Sequence, residues 1–171
     1  MKNTVSRAQH QRVSELLGRE ARGLRDVPVA GDSGEPRVIR VASVVEDKPF
    51  PTLFWLVDPE LNYRIDQLEA GGLIARLQAE VDQDQDLQES MADDHMAHIA
   101  LRNALMTEED RSRLQALGFY EGLQTRGIGG IEKPTRIRCL HTWYAAHLVV
   151  GNTIGRLVDR HFSETGAESD S

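Results

Sequence analysis

LRDVPVA (residues 24–30), GDSGEP (31–36) and RVIRVASVV (37–45) together decide the fold. The first and third segments alternate apolar with polar residues, the period of a half-buried strand. The middle one collects Gly31, Asp32, Ser33, Gly34 and Pro36, which favour turns. The stretch therefore reads as a β-hairpin around Gly31 to Pro36. Beyond it, Lys48-Pro49-Phe50-Pro51 interrupts the pattern, because proline has no N–H to give a ladder. Phe50-Pro51 is also a candidate cis bond. TLFWLV (52–57) follows as an unbroken β-branched and aromatic run. Apolar on both faces, it is expected to be the central strand, more buried than the 37–45 strand with its Arg37 and Arg40. TRIRCL (135–140) alternates again and is expected to be a further strand.

Helical periods fill the rest. Val13, Leu16 and Leu17 share a face of a short first helix that Gly18 stops. Asp58-Pro59 ends the TLFWLV strand and opens a helix, since proline suits the first helical turn. Leu61, Ile65 and Leu68, then Leu73, Leu77 and Val81, mark two helices separated by Gly71-Gly72. A third is expected from about Met91 to Met106, and Thr107 should cap a fourth with three acids in its first turn. The final helix, His141 to Phe162, has a candidate break at Gly151-Asn152. The order of elements argues an α+β domain: a small, mostly antiparallel sheet of about four strands with several helices packed on it. A single domain is expected over residues 1–165, with 166–171 as a disordered tail.

Composition limits the function classes. A chain of 171 residues with one cysteine forms no internal disulfide, which fits a reducing compartment. The opening residues show no apolar core of a signal peptide and no stretch suits a membrane span, so the cytoplasm is the expected compartment. The net charge is −7, and residues 41–110 hold 4 Lys/Arg against 16 Asp/Glu. An acidic middle repels phosphate backbones, so long nucleic acid is not an expected partner. No protein partner can be named.

The chemistry-bearing residues gather at predicted strand ends. Cys139-x-His141 on an extended strand would put both side chains on one face, and Asp58 closes a strand that could lie alongside. Thiolate, imidazole and carboxylate together can hold a divalent metal such as zinc, with His95 or His147 as a further ligand. A thiol beside a histidine can also act as a nucleophile. Against these stands a plain packing role, with Cys139 in the core and His141 capping the last helix.

Several segments in order carry a family resemblance: Leu17-Gly18-Arg19, Gly34-x-Pro36-x-Val38, the run Pro49 to Leu56, Leu68-Glu69-Ala70-Gly71, Arg102, Gly129-Gly130, Cys139-Leu140-His141 and Asn152 to Gly155. Over about residues 13–158 the chain resembles the bacterial family called domain of unknown function 501. The resemblance implies no activity. With Glu69 and Arg102 among its motifs, and Arg138 beside Cys139, one or more of these three join Asp58, Cys139 and His141 as candidate ligand-binding residues. Relatives often carry cysteines where this chain has Asp32-Ser33 and Asp58, and a histidine at Ala146, so a thiolate-rich metal site is not implied intact here.

Other motifs are incomplete. His95 and His98 lack the HExxH spacing and read as a polar helix face. The acidic run from Asp82 lacks the glycine and closing glutamate of a calcium loop. Arg126, Lys133, Arg136 and Arg138 around GIGG (127–130) could hold an anion, yet no GK[ST] follows, and a flexible connection explains the glycines. Two functions therefore stay open: a small-molecule or metal site, catalytic or not, and a non-catalytic adaptor acting through helical or acidic surfaces.

Overall fold

The hairpin is present. In the computed structural model, which describes residues 5–169, β1 (Leu24–Ala30) pairs antiparallel with β2 (Pro36–Val41), from Leu24 opposite Val41 to Ala30 opposite Pro36. The turn closes with the Gly31 N–H on Glu35 O and Gly34 in the left-handed region at φ 83°, which glycine adopts without steric cost. Val44–Val45 (β3) and Lys48–Pro49 (β4) form a separate two-stranded ribbon, and β5 (Phe54–Leu56) pairs antiparallel with β2. The Phe50–Pro51 bond is trans.

The sheet order is β1-β2-β5, so the expectation that the TLFWLV run is central is corrected: β2 is the middle strand and β5 an edge. The apolar content of that run has another cause. Both faces of the small sheet are covered, so even an edge strand must be apolar on both sides. One face, with Val38 and Phe54, meets a helix described below; the other, with Ile39, Val41 and Val57, meets Val13 of α1 (Arg7–Leu17). The arginines of β2 do not bar it from the centre, because Arg37 swings to the sheet margin and pairs with Asp58.

Helices α2 (Pro59–Ala70), α3 (Leu73–Gln83), α4 (Gln85–Leu105), α5 (Glu108–Leu117) and α6 (Tyr120–Leu123) follow in sequence. Helix α4 starts earlier than the expected Met91 because Asp84 caps it, accepting from the Leu87 N–H. Thr107 caps α5 through the Asp110 N–H. A short 3₁₀ turn, Ile128–Gly130, precedes α7 (Leu140–Val150) and α8 (Thr153–Ser169). Asn152 builds the break between them, donating to Trp143 O and accepting from the Gly155 N–H. Helix α8 runs into the tail expected to be disordered from 166; Asp170 and Ser171 lie outside the described residues.

TRIRCL is not a strand. Residues 136–139 belong to no helix and pair with no ladder, although Cys139 itself is extended. Side chains satisfy the backbone instead: Gln78 donates to Thr135 O and accepts from the Ile137 N–H, and Glu69 accepts from the Leu140 N–H. The apolar residues of the segment, Ile137 and Leu140, are buried in the main core without sheet membership. Helix α7 packs across β5, with Trp143 fully buried among Phe54, Ile65, Leu77 and Ile154 in the main core.

Candidate functional site

Asp66 and Glu69 are three residues apart on α2, so both face the same neighbour. That neighbour is the start of α7. Cys139 is its N-cap residue, extended at φ −151° and ψ 127°, and His141 sits in its first turn. Helix starts leave backbone N–H groups without partners, and Glu69 Oε1 takes one of them, the Leu140 N–H, at 2.8 Å. That bond draws Glu69 to 3.3 Å from His141 Nδ1. Cys139 Sγ lies 3.5 Å from the same nitrogen. Donor atoms of Glu69, Cys139 and His141 all lie within 4.8 Å of one another, each residue half-buried. On the far side of the ring, His141 Nε2 is 2.9 Å from Asp66 Oδ1.

The electrostatics favour a charge-separated pair. Hydrogen bonding with Cys139 raises the His141 pKa to about 9, aided by the charges of Cys139, Glu69 and Asp66 and opposed by burial. Burial pushes the Cys139 thiol up, but hydrogen bonds from His141 and the Thr142 backbone outweigh it, so its pKa lies below the usual thiol value. Thiolate character makes a cysteine both a nucleophile and a metal ligand.

Two of the three donor separations also match those around a metal. Zinc bonds of about 2.3 Å to sulfur and about 2.0–2.2 Å to nitrogen and oxygen, arranged tetrahedrally, place S and N about 3.6 Å apart and N and O about 3.4 Å apart. The observed separations are 3.5 and 3.3 Å.

Of the residues expected at the site, Cys139, His141 and Glu69 come together; Asp58 and Arg102 are engaged elsewhere, and Arg138 does not join the cluster. Asp58 caps α2 through the Glu60 and Leu61 N–H groups and pairs with Arg37 at 2.8 Å. Burial raises its pKa, but the Arg37 bond and the cap amides prevail and hold it below the usual carboxylate range. Proline at the first helical position makes the residue before it a cap, which overrides its reading as a strand-end ligand. Arg102 is fully buried and donates to the carbonyls of Pro51, Leu123 and Arg126; burial lowers its pKa to about 10. Arg138 is exposed and has no ion-pair partner among the described residues.

The other histidines are also occupied or remote. His95 and His98 are buried, not on a polar face. His95 Nδ1 accepts from the Ile128 N–H and Nε2 meets Pro134 O, and a Cβ at Gly127 would overlap its ring. His147 Nδ1 accepts from the Asn152 N–H while Nε2 meets Asp159. Neither completes the cluster. Asp66 is the participant that sequence reasoning missed. The signal was an Asp-x-x-Glu pair on one face of a readable helix.

The family described as "Protein of unknown function (DUF501)" matches residues 27–160, a span that contains all four residues of the cluster. No curated protein and no solved structure matches the chain. No helix among the described residues is long and apolar enough to cross a membrane.

Proposed function

The chain belongs to this family of unknown function, and we propose that it is a metal-binding protein that holds one zinc-like divalent cation through Cys139 Sγ, His141 Nδ1 and the Glu69 carboxylate. One observation carries the reading: Nδ1 of His141 faces the thiol and the Glu69 carboxylate, while Nε2 is held by Asp66. Metal-bound histidines characteristically donate their second N–H to a carboxylate, which fixes ring and tautomer. A donor set of one thiolate, one imidazole and one carboxylate suits zinc better than magnesium or calcium, which take oxygen ligands.

Three protein ligands leave a fourth position for water or a small molecule, the arrangement of zinc sites that act on a ligand instead of only bracing a fold. A single thiolate of this kind works in a reducing compartment, so the reading takes the cytoplasm as its location. The acidic charge likewise makes a small molecule a better fourth ligand than a long nucleic acid.

The test is zinc titration of metal-free protein against a chromophoric chelator. The expected result is one zinc per chain, with affinity lowered at least about a hundredfold in Cys139→Ser and in His141→Ala. Zinc binding that is absent, or unchanged in both variants, refutes the reading.

A further inference from the structure

The far end of α7 borders a second, separate feature. A cavity of about 230 Å³ lies between α4, the 3₁₀ turn and the α7–α8 junction, with Leu101, Ile128, Ala146 and Val150 among its apolar lining. Three polar side chains also line it: Asp94, His98 and Asn152. Asn152 is spent on Trp143 O and the Gly155 N–H, and Asp94 Oδ2 holds the Thr153 N–H.

His98 is different. It is only 5% exposed, and neither ring nitrogen has a hydrogen-bond partner among the described residues. Buried polar groups are almost always paired, and an unpaired one weakens the fold. Its neighbours do not pair with it: the Phe54 ring meets it edge-on at 6.1 Å, and Arg102, on the next turn of α4, gives its terminal nitrogens to carbonyls while its Nε makes no bond to the imidazole. His95, one turn earlier, uses both of its nitrogens to fix the 3₁₀ turn. Of the two buried histidines on α4, one holds structure and the other faces a cavity with its hydrogen-bonding capacity unspent.

We propose that this cavity is a binding site for a small uncharged aromatic molecule bearing one hydroxyl, of the phenol class, whose hydroxyl pairs with a ring nitrogen of His98. Size sets the first limit. A cavity of about 150 Å³ holds benzene, so 230 Å³ takes a six-membered ring with one or two substituents. Charge sets the second. Burial and the nearby Arg102 and His95 keep His98 neutral, its pKa near 3, and a carboxylate ligand would also meet Asp94. A neutral imidazole offers one donor and one acceptor, and a hydroxyl can answer either. This site does not depend on the metal reading.

The full-length chain is titrated with 4-methylphenol, toluene and 4-methylbenzoate, read by NMR of the His98 ring nitrogens and by thermal shift. The site predicts that 4-methylphenol moves the His98 resonances and binds about tenfold tighter than toluene, one net hydrogen bond's worth, while 4-methylbenzoate does not bind. In His98→Leu the two neutral ligands bind alike, and Ala146→Val, which fills the cavity from the α7 side, weakens both. Should His98→Leu fail to fold, the wild-type resonances and Ala146→Val decide. Equal affinity of wild type for 4-methylphenol and toluene overturns the proposal. So does a His98 ring that stays unmoved at millimolar 4-methylphenol, which would mean that water alone answers the imidazole.

Discussion

Removing the Asp66 carboxylate leaves all three proposed metal donors in place, so it separates metal chemistry from packing. Asp66 Oδ1 lies 2.9 Å from His141 Nε2, with the aspartate side chain 62% and the histidine 24% exposed. Outer carboxylates of this type are worth about 10–100-fold in metal affinity. Solvent screens an exposed one, so Asp66→Ala should fall at the low end, about tenfold or about 1.4 kcal/mol. Asp66→Asn keeps an oxygen that can accept from Nε2–H and loses only the charge, so about a threefold loss is expected, roughly 0.6 kcal/mol. In the metal-free protein the same contact is an ion pair whose carboxylate is largely in solvent, and either change should move unfolding stability by less than about 1 kcal/mol. Chelator competition gives the zinc Kd of each variant, and urea unfolding of the metal-free proteins gives the stability. The reasoning fails if Asp66→Ala binds zinc as tightly as wild type, or if Asp66→Asn is the weaker of the two.

Two further outcomes follow from buried and capping groups. His98 has its pKa depressed to about 3 in the folded chain by burial, against about 6.5 unfolded. The unfolded state therefore binds the extra proton, so the contribution of neutral His98 is fully present above pH 6.5. It is lost as pH falls toward 3, at about 1.4 kcal/mol per pH unit; urea unfolding of His98→Leu should lack that slope. Asp58 holds both a helix cap and Arg37, so Asp58→Ala should lower stability by about 2 kcal/mol and Asp58→Asn, which retains the cap, by about 1. Neither should change the zinc Kd. The pKa of Asp58 is depressed, so its contribution is present above the unfolded carboxyl pKa and lost as pH falls through the folded value.

Local signals in the sequence were readable wherever local physics ruled. The Gly31–Pro36 turn, the Thr107 cap, the Gly71-Gly72 stop and the break at Gly151-Asn152 are each set by a few neighbouring residues, and each appears where expected. Strand placement was not local. The two-sided apolar run at 52–57 could not reveal whether its cover came from neighbouring strands or from helices on both faces, and the second proved true. Alternation in TRIRCL likewise could not show that Gln78 and Glu69, 59 and 71 residues from the amides they hold, would replace a ladder.

The same holds for the candidate site. Cys139 and His141 were readable because they are two residues apart. Their convergence arises from a helix start and not from the expected strand face. Glu69 was reached through the family resemblance, and its bond to the Leu140 N–H shows how α2 meets that helix start. Asp58 and Arg102 are the residue types that sites use, yet capping and carbonyl bonding claimed them first.

X-ray absorption at the zinc edge, on protein loaded with one equivalent of zinc, tests the central claim most directly. The account predicts one sulfur at about 2.3 Å with nitrogen and oxygen neighbours at about 2.0–2.2 Å, and loss of the sulfur shell in Cys139→Ser. A zinc shell containing no sulfur, or a sulfur shell unchanged in Cys139→Ser, would contradict it.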